Sequence, residues 1–292
     1  MTAVRAVARA FERGIGPLRL AEAWDNVGLL IGDSLGITFS HHTLTRSGRV
    51  SYISSEPQPA SLTTAVADEA LSTPTSLIVS YHPPIFSGLK SLTLSNPLQR
   101  SLLRCAAEGI SVFSPHTALD SVRDGVNDTL AASLGNLSSS NILGEEKEDD
   151  AGAGRIVTLS EPASLGEICN RVKSYCGLEY LQVGVPTRLS PSTTASDGLV
   201  RTVALCAGSG GSVLKGAKAD VYLTGEMSHH EVLAAVAQGI AVILCGHSNT
   251  ERPYLPVLQK KLQRTLDEDP ELQGEKYEVV VSTSDADPLT VM

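Results

Sequence analysis

Residues 239–251, GIAVILCGHSNTE, are the stretch on which the fold prediction rests. The run begins with a glycine and five apolar residues, a composition typical of a buried strand. A glycine and a histidine follow Cys245, a glutamate comes four residues after the histidine, and helical spacing continues to Leu266. Open α/β sheets present functional groups in this way, at the carboxyl ends of their strands. A second interpretation stays open, because Ser248 to Glu251 also fits a helix-capping box.

Two upstream stretches repeat this pattern. Residues 76–84, SLIVSYHPP, are an apolar strand pattern that ends at His82. Residues 110–120, ISVFSPHTALD, place His116 and Asp120 just after another short strand. Imidazole nitrogens and carboxylate oxygens are the usual ligands of Zn, Mn or Fe(II). Three strand ends on one edge of a sheet would bring such groups together, so the sequence predicts a metal site.

The composition limits the class of protein. The chain has 292 residues and a net charge of -9, with 42% hydrophobic residues, which indicates a globular protein with one large core or two smaller ones. An acidic surface disfavours direct binding of nucleic acid, and strand-length apolar runs predict no membrane span. The five cysteines never form a C-x-x-C pair. That usage favours reduced, buried thiols and a cytoplasmic location, with a mitochondrial or nuclear location as the alternatives.

Strands alternate with helices along the chain, which predicts α/β layers with helices on both faces. Residues 138–154 and 189–198 are rich in small, polar or acidic residues and are predicted to be flexible loops. The segment Val50 to Ala60 contains two prolines and is expected to hold a damaged or displaced strand rather than a central one. The turn Gly208 to Ser212 has two interpretations, a phosphate cradle or a tight turn that needs a positive φ.

Five motifs resemble, in order, those of the NIF-three-like family (NGG-interacting-factor-three-like, also labelled GTP cyclohydrolase type-two-like). They are WDNVGLL from Trp24, SYHPPIF from Ser80, SPHTALD from Ser114, TGEMSHH from Thr224, and the stretch from Gly246 to Glu251. The resemblance implies two related, intertwined α/β lobes with mixed sheets and a metal site in the cleft between them. Residues 1–292 would form a single unit, with lobe one at approximately 1–137 plus 245–292 and lobe two at approximately 155–244.

The resemblance also implies a set of metal ligands. His82, Asp120 and Glu251 would hold one divalent ion (Zn, Mn or Fe), while His247 and Glu251 would hold a second. The family has a histidine where this chain has Tyr81, and a phenol is a poor ligand at neutral pH. We therefore expect one firm ion and a doubtful second. Nearby, His116 is either a further ligand or a group that orients one.

Two functions follow from this resemblance. The first is a metal-dependent hydrolase acting on a small, nucleotide-like or phosphorylated substrate, with Glu226 after a strand end as the candidate general base. The alternative is a non-catalytic metal-binding or protein-interaction protein of the transcription-adaptor type, which leaves enzymatic activity open. The resemblance also implies a homo-oligomer, specifically a homohexamer built from dimers. Trp24 is expected either near the site or as a core anchor, and His41 and His42 are assigned no role.

Overall fold

The computed structural model describes residues 3–32, 48–53 (backbone only), 62–189, 198–272, 276–289 and 292. Contacts divide the chain into two compact units, Met1–Leu119 with Leu255–Leu289 and Asp120–Tyr254 with Thr290–Met292. Each unit contains one mixed sheet, which confirms the predicted α/β class with two mixed sheets. These bounds differ from the expected lobes, because residues 120–137 and 245–254 lie in the second unit rather than with the first.

The helices of the described residues are α1 (Ala3–Ala10), α2 (Thr64–Leu71), α3 (Pro97–Ala107), α4 (Thr117–Ser121), α5 (Val126–Ala132), α6 (Leu165–Cys176), α7 (Gly211–Leu214), α8 (His229–Ala237) and α9 (Leu255–Asp267). Several begin at a side chain that caps them. Asn96 caps α3, and Ser164 with Glu167 forms a capping box at the start of α6. Each such side chain satisfies a backbone N–H that the first helical turn leaves without an intrahelical acceptor.

The strands are β1 (Gly28–Ile31), β2 (Gly48–Ile53), β3 (Thr75–Ser80), β4 (Ser111–Ser114), β5 (Leu137–Ile142), β6 (Arg155–Ser164), β7 (Gln182–Gly184), β8 (Leu199–Ser209), β9 (Val221–Glu226), β10 (Ala241–Leu244) and β11 (Tyr277–Val281). The first unit orders its sheet β1-β4-β3-β2-β11, and the second orders its sheet β5-β6-β8-β9-β10-β7. In the first sheet only the β1–β4 pair is antiparallel. In the second, β8, β9 and β10 are parallel neighbours.

Each unit buries its own apolar core. In the first unit α2 and α3 cover one face of β3 and β4, with Val66, Leu102 and Ile78 in that core. Phe11, in the irregular turn after α1, stacks on Phe113 of β4 with ring centroids 5.1 Å apart. In the second unit α7 and α8 pack on the parallel strands in the same manner. Burial of these side chains holds the strand ends in fixed positions.

The structure corrects the prediction for Val50 to Ala60. Strand β2 is an interior strand, bonded on one side to β3 and on the other to β11. It ends at Ile53, before Pro57 and Pro59, so neither proline interrupts its hydrogen-bond ladder. The rest of that prediction, from residue 54 to 60, lies outside the described residues, as do His41 and His42.

The prediction of a flexible loop at 138–154 is also wrong in part. Residues up to Ile142 belong to strand β5, which pairs antiparallel with β6. The cause is a long-range contact that composition does not reveal. Arg155, a fully buried side chain, donates to the backbone oxygens of Gly152, Gly154 and Val122 and to both carboxylate oxygens of Asp128. This bonding fixes the residues that follow β5. The loop predicted at 189–198 lies almost wholly outside the described residues.

The outer edge of β11 is occupied by side chains of α9. Gln259 donates to the backbone oxygen of Val279 at 2.8 Å, and Gln263 donates to that of Tyr277 at 2.9 Å. The amide oxygen of Gln263 accepts the N–H of Val279 at 2.8 Å. In the first unit, two glutamines thus take the place of a further strand.

All five cysteines carry thiols rather than disulfides, as predicted, with Cys105, Cys206 and Cys245 buried and the other two half-buried. Within the described part of the chain, none of the helices combines the length and the apolar character needed to cross a membrane.

Candidate metal-binding residues

In the second unit, three parallel strands end side by side and carry the candidate residues. Glu226 is the last residue of β9, and His247 follows β10 by three residues. Backbone bonds continue the ladder past β10, since the N–H groups of Cys245 and Gly246 donate to the oxygens of Thr224 and Gly225. Parallel strands place their carboxyl ends at one edge of the sheet. The prediction of three strand ends on a single sheet is wrong, however, because the strands before His82 and His116 belong to the first sheet and the strand before His247 belongs to the second.

Two glycines make room for His247 and Glu251. A Cβ on Gly208, whose φ is +65, would lie 2.8 Å from Glu251 Oε1 and 3.0 Å from His247 Nε2. A Cβ on Gly225 would lie 2.7 Å from the Cα of His247. Side chains at these positions would collide with His247 or Glu251, so glycines near the ends of β8 and β9 allow close approach of the backbone.

The imidazole of His247 lies between two carboxylates. Its Nδ1 is 3.0 Å from Glu226 Oε1, and its Nε2 is 3.3 Å from Glu251 Oε1. Burial acts to lower the pKa of His247, but hydrogen bonding and the charge of Glu251, followed by those of Glu226, outweigh it and raise that pKa to about 9. The arrangement attracts positive charge at the ring nitrogens, which is the electrostatic condition for holding a cation.

The stretch from Ser248 to Glu251 does not begin an α-helix, since the next α-helix starts at Leu255. Residues Ser248–Thr250 form a short 3-10 turn without a side-chain cap, and Glu251 is buried with its carboxylate beside His247. Thr250 holds the turn in place, because its hydroxyl accepts the N–H of Gly208 at 2.8 Å and donates to the oxygen of His247 at 2.7 Å. The capping interpretation is therefore wrong for this stretch.

Asp120 lies in α4, and its backbone is tied to the same strand that carries Gly208. The side chain of Asn127 donates to the oxygen of Asp120 at 2.9 Å and accepts the N–H of Ala207, in β8, at 2.8 Å. Burial raises the pKa of Tyr254, and the charges of Asp124, Asp120 and Asp128 raise it further. The second unit therefore contains an acidic group around Tyr254 that includes the predicted ligand Asp120.

In the first unit, His82 and His116 follow two adjacent parallel strands, as predicted. Their ring centroids are 4.7 Å apart, and the N–H of His116 donates to the backbone oxygen of Tyr81 at 3.1 Å. His116 has a φ of +34, an uncommon value for a residue with a side chain. Such strain is found at functional sites, where the surrounding contacts hold it in place.

Asp25 is the partner of His116, which the sequence did not reveal. Its Oδ1 lies 2.7 Å from His116 Nδ1, and its Oδ2 accepts the N–H of Thr117 at 3.2 Å and the hydroxyl of the same residue. Burial opposes ionisation, but the bond and charge of His116, and then the bonds of Thr117, hold the pKa of Asp25 below its usual value. Asp25 therefore orients the His116 ring, as carboxylates do for histidines at metal sites.

Tyr81 and Trp24 occupy contrasting positions in this unit. Tyr81 is 3% exposed and meets the rings of His82 and His116 edge-on, with centroids 4.8 and 5.8 Å away. Trp24 is 61% exposed and lies 6.1 Å from the His116 ring. Of the two alternatives for Trp24, the core anchor is excluded and the position near the predicted site residues is favoured.

The glycine-rich turn is a tight turn rather than a phosphate cradle. The N–H groups of Gly208 and Gly210 donate to the hydroxyls of Thr250 and Thr224, so these N–H groups already have acceptors within the protein.

His229 and His230 lie at the start of α8 and are exposed, with ring centroids 5.7 Å apart.

Three of the four predicted ligands, His82, His247 and Glu251, qualify as candidate metal-binding residues within the described chain. Asp120 is not among these three, and the role of all four residues as ligands stays a prediction. Imidazole nitrogens and carboxylate oxygens are the ligand types that suit Zn, Mn or Fe(II). The space kept clear by Gly208 beside Glu251 and His247 fits the same interpretation.

Comparisons with known proteins agree with the motifs. The family model for Duf34/NIF3 (NGG1p interacting factor 3) matches residues 60–288. The chain is 45% identical to a NIF3 homolog of Schizosaccharomyces pombe, over 94% of this chain and 93% of the relative. It is 39% identical to NGG1-interacting factor 3 of Saccharomyces cerevisiae, over 92% and 90%. A solved Bacillus cereus protein related to NIF3 shares the fold, with a TM-score of 0.77 at 21% identity, covering 99% of this chain and 98% of that one. The chain therefore belongs to the Duf34/NIF3 family.

Proposed function

We propose that this protein is a metal-dependent hydrolase acting on a small, nucleotide-like or phosphorylated substrate. The observation that carries the proposal is the placement of His247 between Glu226 and Glu251, beside a glycine at which any side chain would clash with both donor atoms. The proposed ligands of a divalent ion are His82, Asp120, His247 and Glu251, with one ion held firmly and a second held weakly or not at all. When bound, such an ion lowers the pKa of water and polarises a carbonyl or phosphoryl oxygen.

The protein's own groups would prepare the ligands for this role. Gly208 leaves room at Glu251 Oε1 and His247 Nε2, and Thr250 fixes the turn that carries them. Glu226 bonds to Nδ1 of His247, so Nε2 would be the ring nitrogen that holds a cation. Glu226 is also the proposed general base, because it is half-exposed and bonds to His247 through one carboxylate oxygen.

The test is elemental analysis of protein purified without chelator, paired with phosphatase and cyclohydrolase assays. Glu251→Ala is expected to lose the metal and any hydrolase activity. Glu231→Gln is the matched control, because Glu231 is a carboxylate of the same unit whose role is to cap α8 through Ser228. Equal metal content in the wild type and Glu251→Ala would contradict the proposal, as would loss of metal from the control.

The second candidate function is a non-catalytic metal-binding or protein-interaction role. Tyr81 favours it, because a two-metal hydrolytic site needs both ions and this chain lacks a histidine at that position. The budding-yeast relative is named as an interacting factor, which supports a protein partner. Metal-loaded protein that stays inactive on a broad panel of phosphate esters and nucleotides would favour this role over the first.

We also propose that the protein is cytoplasmic and that it forms a homo-oligomer, with a homohexamer as the expected form. Large apolar side chains exposed in both units support association, among them Leu94 in the first and Tyr180 and Leu233 in the second.

A further inference from the structure

An exposed aromatic pair stands beside the histidines of the first unit. Trp24 is 61% exposed and Phe86 is 39% exposed, and their ring centroids lie 5.9 Å apart at an angle of 49°. Such large rings are usually buried in a core or against a partner. Their exposure leaves aromatic surface available to a ligand.

The backbone beside each ring is anchored. Asp25, next to Trp24, is buried and bonded to His116 and Thr117. The side chain of Asn26 donates to the backbone oxygen of Ile85, the residue before Phe86. Asn26 thus ties the segment of Trp24 to the segment of Phe86. A site whose rings are held in place before binding loses less conformational entropy when a ligand arrives.

The pair also lies close to a proposed metal ligand. The Trp24 ring meets His116 nearly edge-on at 6.1 Å, and the His116 ring is 4.7 Å from that of His82. A small molecule with one end at His82 would therefore have its other end within reach of Trp24.

We propose that Trp24 and Phe86 form a stacking subsite for a flat aromatic or heteroaromatic ring. The inference rests on the proposed function for the placement of the ligand's polar end, whereas the stacking needs no metal. Both side chains offer apolar ring faces, so the subsite recognises a π-face by shape and contact. The substrate class is then a phosphorylated or otherwise metal-binding compound that carries such a ring.

The sequence provides a direct probe, because Trp24 is the single tryptophan of the chain. Intrinsic fluorescence, excited at 295 nm, would be recorded while phenyl phosphate or methyl phosphate is added to metal-free and to metal-loaded protein. Phenyl phosphate should quench or shift the emission and bind about tenfold more tightly than methyl phosphate, which lacks the ring. Equal responses to the two compounds would overturn the proposal.

Substitutions test the same contacts by calorimetry. Trp24→Ala and Phe86→Ala should each weaken phenyl phosphate binding by about tenfold, whereas Trp24→Phe should retain most of the affinity. Leu94→Ala is the control, since Leu94 is an equally exposed apolar residue of the same unit. Unchanged affinity in both alanine variants would overturn the subsite even if their folding is intact.

The outcomes separate the two proposals. A Trp24 response to phenyl phosphate in a protein that binds no metal would support the subsite and contradict the metal-dependent function. A protein that binds metal but does not prefer phenyl phosphate to methyl phosphate would support the metal-dependent function and contradict the subsite. Trp24 emission at the short wavelength of a buried tryptophan, shifting to longer wavelength when the protein is diluted, would show that a second copy of the chain covers Trp24 and Phe86. That result would also overturn the subsite.

Discussion

Replacing Gly208 with alanine tests whether the glycine near the end of β8 is needed to leave room for the proposed metal ligands. Gly208 has a φ of +65, and its new Cβ would lie 2.8 Å from Glu251 Oε1 and 3.0 Å from His247 Nε2. The left-handed backbone alone costs a residue with a side chain about 1–2 kcal/mol. The close contacts add a second effect, because one of the two donor groups has to move.

Gly216→Ala isolates the backbone contribution. Gly216 lies in the same unit with a φ of +81, and a Cβ there would have nothing within 4 Å. Both variants should lose stability, with a melting temperature lower by roughly 2–8 °C. Only Gly208→Ala should also bind metal about 10- to 100-fold more weakly, the range found when groups that support metal ligands are altered.

The assay is calorimetric titration of Zn and Mn into the wild type and both variants, with melting temperatures from scanning calorimetry. Wild-type metal affinity in Gly208→Ala would refute the reasoning, because the Cβ would then fit beside the donor atoms without displacing them. A comparable loss of affinity in Gly216→Ala would also refute it, since general destabilisation would explain both.

Three further predictions concern other parts of the chain. Tyr81→His should raise the metal content from about one tight ion per chain towards two, because imidazole binds without first losing a proton at pH 7; two similar ions in the wild type would contradict the one-site interpretation. Glu69 accepts bonds from Ser282, Thr283 and Ser284, and although burial opposes it, these bonds lower its pKa to about 2. The stabilisation by the ionised Glu69 carboxylate is complete above the unfolded-state pKa near 4.5 and is lost as the pH falls towards 2. In urea unfolding at pH 7, Glu69→Gln should therefore be less stable than the wild type by about 1 kcal/mol, a figure that allows for solvent screening. Near pH 2 the two proteins should be equally stable. Sedimentation at micromolar concentration should show an oligomer, and a monomer of about 31 kDa would exclude the expected hexamer under those conditions.

Local patterns predicted the elements that depend on neighbouring residues. The capping box of Ser164 and Glu167 forms because both partners lie within one turn. The same spacing at Ser248 and Glu251 suggested a capping box, but Glu251 is buried and its carboxylate faces His247. Contacts with residues far along the chain decide whether such a glutamate caps a helix or packs beside a histidine. A stretch of four residues does not reveal those contacts.

Long-range contacts account for what the sequence did not reveal. Asp25 and His116 are 91 positions apart, and their pairing depends on how the segment before β1 meets the end of β4. Strand β5 was predicted as part of a flexible loop, yet the bonds of Arg155 to the distant backbone oxygen of Val122 and to the side chain of Asp128 hold the segment beyond it. The histidines at strand ends were predictable because each strand is short, apolar and followed at once by its polar group.

The glutamines along β11 bear on how copies of this protein can associate. Gln259 and Gln263 occupy the backbone groups of Tyr277 and Val279 that an incoming strand would need. A chain from another molecule would have to displace three hydrogen bonds before it could extend the sheet at this border. The first unit is thereby protected against edge-to-edge pairing through β11, which is one route to fibrils.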